Sequence, residues 1–167
     1  MLRFAALVAA LAGCRISLES EDPDTGGTTR VCRISTTSTA CASAATMTHP
    51  ALSWIEQNVF TPSCSFAGCH SSSSDDGKLD LRGGMSHDHL VGIASLVDPS
   101  RKLVVPNDVA ASYLMLMVRD VPPAMASPPA APPPGDIGYM PQDTGAALCC
   151  QKLDALERWI NDGAQNN

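Results

Sequence analysis

Apolar residues recur at helical spacing in three stretches of the chain. In the first, Leu52, Ile55, Val59 and the adjoining Phe60 fall together with Trp54 beside them, while Glu56, Gln57 and Asn58 lie on the other side. Thr61-Pro62 closes the run, so the pattern predicts a short amphipathic helix that delivers the chain into Cys64. The second, Ser112 to Val118, is apolar almost throughout, and its Met115 and Met117 read as flexible thioethers filling irregular gaps in a small core. The third runs from Gly145 to Asn161 and closes the domain. Its stripe is Leu153, Leu156, Trp159 and Ile160, Asp154 and Arg158 are spaced for an i,i+4 pair, and Gly163 marks the stop.

The intervening segments are polar or broken. Ser71 to Gly77 reads as a polar loop, Lys78-Leu79-Asp80-Leu81 as a brief alternating extended piece, and Gly83-Gly84 as a turn before a helix start. Leu90 to Val97 is apolar and should pack near a cofactor or the core. Val104 to Asp108 is a turn, and Val121 to Gly135, dense in proline, predicts an exposed loop. No internal repeat is evident. The fold class expected is mainly α, a small domain with long loops.

The N-terminal third has a different character. Met1-Leu2-Arg3 is a short basic start, Phe4 to Ala10 a brief apolar run, and Leu11-Ala12-Gly13-Cys14 a small-residue ending. That ending resembles the lipobox of bacterial lipoproteins, which implies a signal peptide at 1–13, a lipidated Cys14, and residence on the periplasmic side of the cell envelope. Arg15 in place of an aspartate adds outer-membrane sorting as a second inference. From Arg15 to Met47 the chain is rich in Ser, Thr and Ala with short acidic residues, a composition that reads as a flexible tether. Cys32 and Cys41 interrupt it and suggest that its second half is pinned to a folded body at 49–167.

Composition narrows the function. With 11 Lys and Arg against 17 Asp and Glu, a net charge of -6 and no basic cluster, the chain has nothing to neutralise a nucleic-acid backbone. Aromatics make up 4% and Gly plus Pro number 12 and 13, so the core is modest and calls for a staple. Seven cysteines leave six once Cys14 is set aside. Cys149 and Cys150 are adjacent, and a bond between them would be strained, which favours one or both reaching back to Cys32 and Cys41. The exact pairing stays open.

The remaining two cysteines carry the chemistry. In Cys64-Ser65-Phe66-Ala67-Gly68-Cys69-His70, two thiols on one short loop suit thioether bonds to the vinyl groups of a haem, and the imidazole next door suits an axial position on its iron. Four residues separate the thiols, two more than in the usual motif, and Gly68 supplies backbone freedom for the extra pair. The competing reading is a simple Cys64 to Cys69 disulfide. His87-Asp88-His89 invites a metal, but i and i+2 share a side only on a strand. No nucleophile with a plausible base and no phosphate-cradling glycine loop is present, so hydrolase and transferase chemistry have no support.

A helix entering Cys-x4-Cys-His, a later Met-Pro, and a terminal helix ending Trp-Ile-x-x-Gly-Ala together resemble the cytochrome c domain of bacterial lipoproteins, over roughly 49–167. The resemblance implies one covalent haem c, with His70 as proximal ligand and Met140 as the opposite one. It also implies that the first and last helices cross, with Ile55 and Val59 near Leu156 and Ile160. Met125, His87 and His89 are the substitutes for Met140. A protein of this kind carries electrons between redox protein partners and is held to a membrane by its lipid, rather than acting as an enzyme. The alternative is a haem-free, disulfide-stapled envelope lipoprotein that binds a partner or serves a structural role. An open distal side binding peroxide or another small molecule is a third.

Overall fold

The computed structural model describes residues 31–72, 78–142 and 148–167. The expected signal peptide and lipidated Cys14, the first half of the expected tether, residues 73–77 of the expected polar loop and residues 145–147 of the expected last helix lie outside the described residues; that helix begins at Cys150, with Cys149 extended before it. Six α-helical elements follow in order: α1 (Thr39–Thr46), α2 (Leu52–Ile55), α3 (Thr61–Ser63), α4 (Ser86–Leu90), α5 (Tyr113–Met117) and α6 (Cys150–Asn161). Among the described residues there is no strand, only isolated bridges such as Val91 to Val104 and Ala94 to Lys102. The class is helix and coil, as the apolar spacing indicates.

α6 is the centre of the fold. Leu153, Leu156, Trp159 and Ile160 are buried as a stripe with Ala155, and Gly163 ends the helix at φ +90°. The Ala164 amide bonds back to the Trp159 carbonyl at 2.9 Å, closing the helix end. α1 and α2 both pack on α6, and Ile55, Val59, Leu156 and Ile160 belong to one core. Tyr113 to Val118 fills the middle of that core, Met115 and Met117 included.

The first helix departs from its sequence pattern in one respect. α2 and α3 are joined through a π-helical turn at Glu56–Phe60, in which the Thr61 amide reaches back to the Glu56 carbonyl. A proline in a regular helix clashes with the carbonyl four residues before it. The wider turn just upstream opens the backbone ahead of Pro62, and the helix continues to Ser63 instead of stopping at Thr61-Pro62. Glu56 is not solvated. It is buried, its carboxylate accepts the Gly84 amide at 2.9 Å on both oxygens, and the Ser86 hydroxyl donates to Oε1 at 2.6 Å.

Four segments differ from their sequence patterns. The second half of the region read as tether forms α1, with Cys41 and Ala44 buried, so the packed body begins ahead of His49. Lys78 to Leu81 is not alternating: Asp80 is as buried as Leu81, because the Arg82 guanidinium folds back onto it at 2.6 Å. The proline-rich stretch is exposed only in part. Val121 and Ala126 are buried, and the buried Arg101 donates to the Pro128 and Pro129 carbonyls while its Nε holds Asp98 at 3.1 Å. Within Leu90 to Val97, Leu90 enters the core while Ile93 and Leu96 are exposed.

Candidate functional site

Residues 64 to 70 form a loop closed on itself. The π-helical turn and α3 bring the chain in, and the Cys64 and Ser65 amides both bond to the Phe60 carbonyl, at 2.7 and 2.9 Å. The His70 amide then donates to the Cys64 carbonyl at 3.2 Å, and the Cys69 amide to the Phe66 carbonyl at 3.0 Å. Gly68 takes φ +83°, a left-handed conformation that a side chain would oppose. Both thiols and the imidazole therefore sit on one short arc.

Leu81 clamps this arc from outside. Its amide donates to the His70 carbonyl at 2.9 Å, and its carbonyl accepts the Ser65 hydroxyl at 2.8 Å. The extended piece thus pairs with the loop rather than with another strand.

Cys64 and Cys69 are thiols, bonded neither to each other nor to any other cysteine. The other four cysteines of the body form two disulfides, Cys32 to Cys150 and Cys41 to Cys149. Both adjacent cysteines of the C-terminal helix reach back to the N-terminal segment, one of the outcomes that adjacency favours.

The Cys64 thiol packs against the core, and burial pushes it up to about 12, with nearby Cys69 adding and Lys152 subtracting. It stays a neutral thiol at physiological pH. Lys152, on α6, is itself pushed down by burial, partly offset by Cys64. His70 is half-buried, and its Nδ1 is shielded from solvent. No family model, curated protein or solved structure matches the chain.

Met140 is held separately from the loop, by α5. Its amide donates to the Met117 carbonyl at 2.8 Å, and the residue is half-buried against the core that also receives Cys64. Of its substitutes, Met125 is 61% exposed. His87 and His89 lie on α4, where residues two apart point to different sides, and the His87 ring faces Asp88 at 3.4 Å. Among the described residues no three or more His, Cys, Asp or Glu side chains converge into a metal-holding group.

The structure therefore holds Cys64, Cys69 and His70 on one loop, while Met140 is placed separately, by its amide bond to the Met117 carbonyl. The residues present suit a covalently attached haem in their donor chemistry: two uncommitted thiols, an adjacent shielded imidazole and a thioether packed on the same core. Sequence reasoning missed Glu56, Lys152 and the Leu81 clamp. Glu56 carries the signal of a solvated helix position, and only the Gly83-Gly84 and Ser86 donors downstream could have hinted at its burial.

Proposed function

We propose that this protein is a lipid-anchored, periplasmic, c-type cytochrome-like electron carrier holding one haem. Cys64 and Cys69 would carry the thioether bonds, His70 the proximal position and Met140 the distal one. Lipid on Cys14 would hold the body to a membrane, the outer one by the residue that follows. The single observation that carries this reading is the division of the cysteines. Four are spent as two cross-links, and the two on the Cys-x4-Cys-His arc are left as thiols beside a histidine.

When bound, the haem would supply one-electron redox chemistry, and His70 with Met140 as its ligands would leave no open position for substrate. The chain's own part is to hold. The Leu81 clamp and the Phe60 carbonyl fix the arc, and the Met117 carbonyl fixes the backbone of Met140. Redox protein partners would supply and accept the electron.

Protein expressed with a cytochrome maturation system should gain the mass of one haem and give a pyridine haemochrome spectrum of the c type. A purified chain with no added mass and no visible absorption overturns the proposal.

The second reading, a haem-free stapled envelope lipoprotein, is favoured by a specific feature: the two disulfides and the α6 core already tie both ends of the body together without a cofactor. It expects Cys64 and Cys69 joined to each other in non-reducing peptide maps of protein taken from an oxidising compartment.

A further inference from the structure

The end of α5 and the loop that carries Met140 are joined twice. One tie is the Met140 amide on the Met117 carbonyl at 2.8 Å. The other comes from two residues further along: Arg119 leaves α5 with φ +61°, a left-handed turn that redirects the chain, and its guanidinium carbon stands 4.8 Å from the centroid of the Tyr139 ring. Tyr139 immediately precedes Met140. The carbonyl of the same Arg119 accepts the Val31 amide at 3.3 Å, one residue before the cross-linked Cys32. Arg119 thus has its backbone pinned to the N-terminal segment and its charge laid over the ring beside Met140.

We infer that Arg119 is a positioning residue for Met140, acting through Tyr139 to hold the thioether's backbone where an iron ligand is required. The inference rests on the electron-carrier reading for the purpose of the positioning, but not for the contact itself. A methionine side chain has three rotatable bonds, so its sulfur is placed only if its backbone is. A single amide bond leaves the loop free to pivot, and a cation over the adjoining ring removes that freedom.

The test uses Arg119→Ala, with Arg119→Lys and Tyr139→Phe as conservative variants that keep a cation and a ring respectively. In the haem-free chain, hydrogen exchange of the Met140 amide should accelerate about three-fold in Arg119→Ala, the size expected for an exposed cation–π contact. The Ala164 amide on α6 should not change, which separates local release from general destabilisation. In the haem-loaded chain, Arg119→Ala should lose part of the sulfur-to-ferric-iron charge-transfer band, and both conservative variants should keep it.

If Arg119→Ala leaves Met140 exchange and the band of a haem-loaded chain unmoved, the positioning role is overturned while the electron-carrier reading stands. Faster exchange with an unchanged band also overturns it, since the loop would then be held for another reason. A chain that takes up no haem sinks both.

Discussion

Glu56 shows how far a residue's role can depart from its place in a pattern. Its spacing puts it on the polar side of the first expected helix, yet it is buried and takes three hydrogen bonds from the Gly84 amide and the Ser86 hydroxyl. Hydrogen bonds to a charged group are worth more than neutral ones, and a buried acceptor replaced by a donor is costly. Glu56→Gln should therefore lower stability by about 2 kcal/mol, read as a lower urea midpoint. Asp80 gives a pH signature. The Arg82 guanidinium holds its carboxyl at about 2, below the ordinary carboxylate range, so between about pH 4 and pH 2 the unfolded chain binds the proton and the folded chain does not. Its stabilisation is present above that window and is lost as pH falls through it; Asp80→Asn should flatten that part of a stability-against-pH curve. Neither residue was legible in advance, because each depends on a partner brought in by a turn. Cys64, Cys69 and His70, by contrast, were legible as a unit, since contiguity alone places them on one arc.

At the scale of elements, the apolar stripes located α5 and α6 because burial on one face is what periodicity records. The same logic located α2 but misplaced its end, since hydrophobic spacing does not encode the π-helical turn that accommodates Pro62. α1 was invisible for a different reason: Thr39–Thr46 is small and weakly apolar, and it is held by Cys41 and Ala44 against α6 rather than by a stripe of its own. α2 also lacks a local cap. Ala51 contributes no side chain, and Asn167 supplies the bond instead, its Oδ1 accepting the Leu52 amide at 2.8 Å and its carbonyl the Ser53 amide at 2.9 Å. Asn167→Ala should cost about 1 kcal/mol, the usual worth of a lost helix cap, measurable as a lowered melting temperature. Gly84→Ala, at φ +80° under the Glu56 carboxylate, should cost about 1 kcal/mol or more for backbone strain alone.

Across the whole molecule, the cross-links set what a modest core can sustain. Cys32 to Cys150 and Cys41 to Cys149 span separations of 118 and 108 residues, so each removes much of the freedom of the unfolded chain. The double variant Cys32→Ser with Cys150→Ser should lose about 2–4 kcal/mol, and thermal unfolding of the oxidised proteins would show it. The need for a staple was readable from sparse aromatics and abundant proline; which cysteines joined was not, because pairing depends on where α1 lands on α6.

That arrangement has a mechanical corollary. Tension applied through the N-terminal segment crosses at Cys32 directly to Cys150 and into the closing helix, by covalent bonds alone. The interval between them, with the Cys-x4-Cys-His arc inside it, lies off that covalent path, and the Val31 amide on the Arg119 carbonyl is the hydrogen bond through which the load would reach the Met140 side.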